Sequence, residues 1–484
     1  MAIAATAVWE VRSTGSDTNG GAFDPGVASP GTDFSVQDAA QFAYTDLVID
    51  ATTNTKITSA AHPFDSTSPG NVINITGGTG FTTGWYEVLS VSGVVATLDR
   101  AVGTTSSTGG TGNLGGGLAT PGKAAGLWVA SNTMYIKQAT YNMANSASVA
   151  GGYINLTVAG SDKLPNKIVG YNTNRTLTNT DTPPILQPSA ANMNCIRNFS
   201  GGVCVVYNIK CANGNSQGGC TGFFEDNAAM LFENCIADGL ATGFSNGFAG
   251  CKYFNCYAHS CDTGFALQQV ASLLVDCVAD TCGTTGATHG GFVSASSTCA
   301  RHIRCIARNC KGWGFLATTA SGEFINCTAD NTSVGPASSG SGFNVTDLTI
   351  LVNCLSTNNA RYGFESNQSA TNQFTRLYNC AGYNNTSGDT DTNFTSASNT
   401  KNGFVALSAG PYTNTGGGDY SLNSTVGGGA AARAAGYVSA FPGISTNNYL
   451  DIGAAQHQDS GGPSTVAIDN QTTIVWPDTG CVGY

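Results

Sequence analysis

From about residue 200 onward the chain alternates apolar and polar residues in runs too short for helices, each run centred on a cysteine. Phe-Glu-Asn-Cys235-Ile-Ala-Asp and Phe-Ile-Asn-Cys327-Thr-Ala-Asp are two instances of one motif. Aligned on Cys211, Cys235, Cys256, Cys277, Cys305, Cys327, Cys354 and Cys380, the intervals are 24, 21, 21, 28, 22, 27 and 26 residues. A floor at 21 with variable insertions is the mark of a coil that tolerates loops. A second landmark follows each of the first seven of these cysteines, a Gly-Phe pair ending in Phe223, Phe244, Phe265, Phe292, Phe315, Phe343 and Phe364. Period-two alternation around the cysteine predicts a strand. Ile209, Phe254, Val275, Ile303, Ile325 and Val352 stand two residues before it, and Ala237, Ala258, Ala279, Ala307 and Ala329 two after. These are expected to point inward with the thiol, while Asn234, Asn255, Asp276, Arg304, Asn326, Asn353 and Asn379 face water. The Gly before each Phe is expected to permit a backbone corner.

Helical solenoids need Leu and Ala at helical spacing with Lys and Glu outside, leucine-rich repeats need their leucine frame, and a propeller blade needs about 40 residues. None of these fits a 21-residue coil. The pattern predicts an all-β, right-handed parallel β-helix in which thiol stacks on thiol and phenyl ring on phenyl ring, with rungs about 4.7–4.9 Å apart.

Composition sharpens this picture. The 484 residues include 63 Gly, only 10% charged residues and 41% hydrophobic ones, too polar for long solvated helices and too apolar for a disordered chain. The net charge of −11 with scattered basic residues offers no footprint for nucleic acid. No apolar stretch reaches the roughly 20 residues of a membrane span, and the opening Met1–Trp9 lacks the basic start of a signal peptide. Synthesis in a host cytoplasm is the expectation. Sixteen of the 17 cysteines lie between Cys195 and Cys380. They read as buried fillers of a ladder, with disulfides between neighbouring turns as the rival, since bridged Cα atoms stand about 4.4–6.8 Å apart. A shorter column, Cys261, Cys282 and Cys310, lacks the paired ligands of a metal site, and neither metal nor cofactor is expected.

The ends divide into residues 1–50 as an N-terminal segment, 51–118 as a small β module with a Gly-rich link from Gly109 to Gly117, 119–405 as the β-helix, and 406–484 as a cap and tail. The Ala430–Ala435 run is expected to form a short helix covering the exposed sheet edge at the end of the solenoid. Three stretches carry a family likeness: Val8-Trp9-Glu10-Val11-Arg12 with Gly15-Ser16-Asp17-Thr18-Asn19-Gly20-Gly21, Ile75-Thr76-Gly77-Gly78-Thr79-Gly80 with Gly84-Trp85-Tyr86, and Asp419-Tyr420-Ser421-Leu422-Asn423 with Asp451-Ile452-Gly453-Ala454. In these the chain resembles right-handed β-helix repeat proteins of tailed bacteriophages, and the likeness spans nearly all of it. The resemblance implies a virion or appendage protein, a head-decorating (cement) protein or tail appendage, partnered by capsid or tail proteins and assembled as a homo-oligomer such as a trimer. The fold is shared with tailspikes and pectate lyase-like enzymes, so it does not transmit a function.

Candidate chemistry lies three residues after the ladder cysteine: Asp238, His259, Asp280, Arg308 and Asp330 on successive turns. Asp238 and Asp280 would stand two rungs apart, roughly 9–10 Å, near the upper limit for the acid pair of an inverting glycosidase. The competing reading makes them strand-end turn caps. One residue after the cysteine, Ile236, Tyr257, Val278, Ile306 and Leu355 form an outward apolar stripe, a candidate subunit interface unless loops cover it. The sequence therefore supports a non-enzymatic structural protein of a phage particle. The alternative is a tailspike that binds or depolymerises host surface polysaccharide as a glycoside hydrolase or lyase, and a secreted carbohydrate-active enzyme fits less well.

Overall fold

The fold was obtained as a computed structural model. It describes residues 3–456 except 28–30, 144–151, 157–159, 162–163, 177–180, 199–201, 215, 217, 227–228, 284–288, 295–299, 319–321, 336–338, 347, 367–374, 396–398, 434 and 437–450. The chain winds as a parallel β-helix with three long sheets of 13, 11 and 10 described strands. One turn runs from Thr242–Asn246 in the third sheet to Lys252–Phe254 in the first and Tyr257–His259 in the second, then back to Thr263–Leu267 in the third. Register is strict: Tyr257, Ala258 and His259 lie beside Val278, Ala279 and Asp280 of the next rung.

Two columns of rings fill the interior. Phe223, Phe244, Phe265, Phe292, Phe315 and Phe343 stack with centroids 4.7 Å apart and planes within 6°. Against them stand Phe232, Tyr253, His302 and Phe324, edge to face. This second column corrects the expected parity. From Cys235 onward the inward residue lies three before the cysteine, because the residue between strand and cysteine takes a left-handed conformation, as at Asn234 (φ 55°), Asn255 (49°), Asp276 (55°) and Asn353 (55°). The position of Cys211 is corrected further, since it lies beside Ala237 and buried Ile209 takes the place expected for it in the ladder. That single residue turns the corner and breaks the alternation, so Phe254 and Val275 are only half-buried while Tyr253 and Leu274 are fully enclosed. Asn tolerates this conformation better than other residues bearing a Cβ.

The glycine before each phenylalanine also has a different cause from the one expected. None of these glycines has a positive φ. A Cβ on Gly243 would lie 2.6 Å from the Gly264 carbonyl oxygen, and one on Gly264 equally close to that of Gly291. The glycines form a column because the rungs leave no room for a side chain there.

The fifteen described cysteines are all free and buried. Ladder thiols donate to the carbonyl of the rung before: Cys256 Sγ to Phe232 O at 3.6 Å, Cys277 Sγ to Tyr253 O at 3.4 Å, Cys354 Sγ to Phe324 O at 3.4 Å. A thiol thus fills a small corner and also satisfies a backbone acceptor there, which alanine would not do. Burial pushes the Cys277 and Cys354 thiols well above the usual range, which keeps them protonated and unreactive.

The ends depart from the expected boundaries. Val8–Val11 pairs in parallel with Thr133–Lys137, so the solenoid begins at the first strand and not near residue 119. Residues 42–114 are an insertion that closes as a six-stranded antiparallel barrel, and Gly110–Leu114 is one of its strands where a flexible link was expected. Ahead of the barrel, buried Glu10 of the first strand accepts from Arg175 at 2.8 Å and Arg12 at 3.1 Å, while Arg175 also holds Asp33, which ties the segment leading into the barrel to the solenoid. The helix Pro121–Leu127, capped by Thr120, packs Ala124 and Ala125 into the main core. At the other end the helix is short, Gly429–Ala432. It lies along the flank of the second sheet, with Ala432 among Leu355, Ala381, Leu422 and Ile452, and so does not cover the sheet edge. The tail beyond 456 lies outside the described residues.

His302 replaces an aromatic in the second ring column. It stacks on Phe324 at 4.6 Å, and neither ring nitrogen has a hydrogen-bond partner among the described residues. Burial depresses its pKa to about 4. A lowered histidine pKa contributes stability above the ordinary value of about 6.5 that is lost as pH falls through it toward 4. His302→Phe is expected to raise the unfolding temperature, with the margin over the parent widening between pH 6.5 and 4. Thermal denaturation across that range measures it, and a margin independent of pH would contradict it.

Candidate functional site

The strands of the second sheet from Lys210–Ala212 to Ala381–Tyr383 have three residues each, and on the rungs from Ile236 to Arg308 the middle one points inward and the outer two face the flank. The corner asparagine sets this phase, and register repeats it on every rung. The apolar stripe and the charged column are therefore neighbours on one outer face, as the sequence spacing implied.

The column is tied together rung to rung. Asp238 takes Lys210 Nζ at 2.8 Å on one oxygen and His259 Nδ1 at 2.8 Å on the other. Burial alone would raise its pKa, but the hydrogen bonds from Lys210 and His259 outweigh this and hold the carboxyl below its usual range. Asp280 accepts from Tyr257 OH at 2.8 Å, Arg308 at 2.9 Å and Asn309 at 3.2 Å, and those bonds likewise overcome its burial. Asp330 is buried and receives Thr357 at 2.6 Å, Asn358 at 2.9 Å and Tyr420 OH at 3.0 Å. Apart from the neighbouring Thr281 hydroxyl, which donates to Asp280 at 3.0 Å, the partners are side chains of other turns, so neither expectation, catalytic pair or turn cap, describes the column fully. The carboxylates are neither caps of their own turns nor an open acid pair, and the His259 rung separates Asp238 from Asp280.

Ser260 Oγ lies 3.3 Å from His259 Nε2, which completes a line from Asp238 through His259 to a hydroxyl. Ser260 spends its own amide on the Asp280 carbonyl, so that N–H is not available to stabilise an oxyanion.

The lower half of this face is covered by the chain itself. The hairpin Tyr412–Asn414 and Asp419–Leu422 lays Tyr420 onto Asp330 and beside Arg308, and Asn326 Nδ2 donates to the Asp451 carbonyl at 2.9 Å. Leu355 is fully buried in the resulting apolar cluster with Leu422 and Ile452, which removes it from the candidate interface. Ile236, Tyr257, Val278 and Ile306 stay half-exposed.

Beside the uncovered half runs a groove of about 250 Å³, lined by Asp181, Pro183, Tyr207, Asn208, Asn234, Ile236, Asn255 and Tyr257. Its floor is the left-handed corner column: Asn208, Asn234 and Asn255 come from three successive rungs. Asn255 Nδ2 donates to Asn234 Oδ1 at 2.6 Å, and the Asn234 amide hydrogen-bonds the Tyr207 hydroxyl. The repeat pattern singles out Ile236 and Tyr257 and turns the asparagines outward. It gives no sign of Tyr207, Asn208 or Asp181, which come together only when rungs of unequal length are stacked.

No family model and no curated protein matches the sequence. Among solved structures, the chain is similar to pectate lyase Pel9A, with 10% identity over 70% of this chain and 91% of that one and a TM-score of 0.39. It is also similar to a rhamnogalacturonan lyase, with 11% identity over 60% and 83% and a TM-score of 0.35. A third is the A-module of the mannuronan C-5 epimerase AlgE4 of Azotobacter vinelandii, with 10% identity over 56% and 90% and a TM-score of 0.24. These likenesses concern the fold, and no chemistry of this chain rests on them.

The network fixes the orientation of Tyr257. Burial, followed by the bond to Asp280, raises its phenol pKa to about 12. Asp280→Asn removes the charge and keeps the shape, so the Tyr257 phenol is expected to titrate closer to 10. NMR titration of ring-labelled tyrosine, assigned with Tyr257→Phe, reads this out, and an unmoved pKa would refute the role given to Asp280.

Proposed function

We propose that the chain is a non-enzymatic structural component of a phage particle, a stiff shaft on the head or tail. The observation that carries this reading is the bracing of the flank column. Lys210, His259, Arg308, Tyr257 and Tyr420 bind the carboxylates of neighbouring rungs to one another. A catalytic acid pair leaves its oxygens to a substrate, whereas these oxygens hold the wall together. Continuous ring stacking adds to the stiffness, since cores packed at this density deform little. The phage setting comes from the family likeness of the N-terminal, barrel and C-terminal motifs. A homo-oligomer packed along Val278 and Ile306 would give the shaft its partners.

The purified protein is expected to release neither reducing ends nor unsaturated products from neutral or acidic polysaccharides during long incubation. Gold-labelled antibody against it is expected to decorate intact particles in a lysate. Turnover that disappears in Asp238→Asn or Asp280→Asn would overturn the structural reading in favour of a depolymerase.

A further inference from the structure

We infer that the flank groove is a binding site for an uncharged oligosaccharide running along the solenoid axis. This is independent of the shaft role and rests on the chemistry of the lining. A pyranose has an apolar C–H face and an edge of hydroxyls that both donate and accept. The groove offers the matching pair. Tyr257 presents a ring held in place, its hydroxyl already committed to Asp280 at 2.8 Å, and Ile236 lies on the neighbouring rung in register with it. An anchored aromatic loses little freedom when a ligand stacks on it. Asn255 supplies the polar edge, since an amide has two donors and a carbonyl acceptor and suits a hydroxyl in either role. Buried Asn208 gives its amide to the Gly170 carbonyl at 3.1 Å, and Asn234 is held by Tyr207 and Asn255. Exposed Asn255 uses one donor on Asn234, leaving its carbonyl oxygen and second amide hydrogen without a partner among the described residues.

Length and charge narrow the ligand. Asn208, Asn234 and Asn255 span two rung spacings, roughly 9–10 Å, or about two hexose rings laid end to end along the axis. The repeat of the polymer then runs parallel to the repeat of the protein, so successive sugars meet equivalent positions on successive rungs. Among the described residues, Asp181 is the one charged side chain lining the groove. No described cation lines it to pair with a carboxylate or sulfate, and the nearby Lys210 is bound to Asp238. Uronate and sulfated polymers would meet Asp181 and a chain of net charge −11. Neutral hexoses and N-acetylhexosamines would not be repelled.

Isothermal titration calorimetry of the full chain tests this with neutral probes, namely gluco-, manno-, galacto- and chito-oligosaccharides of six units, and with hexagalacturonate. Saturable binding is expected for at least one neutral series, with Kd on the order of 0.1–1 mM, and none for the uronate. Tyr257→Ala is expected to weaken it roughly tenfold or more. Asn255→Gly, which keeps the left-handed corner while deleting the amide, should cost roughly three- to tenfold. Asp280→Asn acts through Tyr257 as a positioning change, weakening binding while the tyrosine pKa falls with it. Circular dichroism and unfolding temperatures separate these losses from misfolding. Absence of saturable binding to every neutral series at millimolar concentration, tighter binding of hexagalacturonate, or unchanged affinity in folded Tyr257→Ala and Asn255→Gly would each overturn the assignment.

Discussion

Everything in this molecule follows from one constraint, the lateral hydrogen bonding of each rung to the next in strict register. A parallel ladder fixes both the spacing and the phase of every side chain. Once Phe244 lies beside Phe265, the equivalent phenylalanines must do the same, with rings 4.7 Å apart from Phe223 to Phe343 and 5.1 Å apart at Phe364. The Gly column has no room for a Cβ for the same reason, and the ladder thiols reach the carbonyls of the preceding rung. The corner asparagines keep this register possible. A left-handed residue at each corner lets two three-residue strands meet with two residues between them, and longer insertions are displaced to the other corners.

The same constraint builds the outer face. Inward alanine in the middle of the short strands from Ile236–Asp238 to Thr328–Asp330 forces the residues on either side outward, so a stripe and a charged column run in parallel up one flank. In a ladder of side chains at rung spacing, ionisable groups find their partners on the turns above and below. Alternation of acid and base along the column, Asp238, His259, Asp280 and Arg308, with Lys210 reaching in from beside Ile236, lowers repulsion between rungs and links them. Tyr257 belongs to both features, with its hydroxyl in the column and its ring in the groove. The charged residues that resembled a catalytic constellation are therefore better understood as the support of a groove wall.

The C-terminal segment decides how much of this face is available. It folds back along the flank, buries Leu355 and encloses Asp330 under Tyr420, and leaves the rungs from Ile236 to Ile306 open. A surface that the repeat makes uniform is thereby divided into a covered half and an open half. The groove lies on the open half, where Asp181 and Pro183 of an early, irregular turn form its rim.

The sequence by itself determined whatever repeats. The coil, its winding, the cysteine and phenylalanine columns and the juxtaposition of stripe and acids were legible because stacking turns a period in the chain into a line in space. It misplaced the inward residue before the cysteines from Cys235 onward and set Cys211 two residues out of register, since period-two counting cannot see that one residue with positive φ shifts the phase. It also mistook Gly110–Leu114 for a linker, because a glycine-rich strand has no side-chain alternation to reveal it. The non-repetitive parts lay beyond it: the barrel inserted after the first strand, the buried Glu10 cluster, the folded-back hairpin and the groove. Contacts of that kind join residues far apart in the chain, such as Asn326 with Asp451, and no local pattern encodes them.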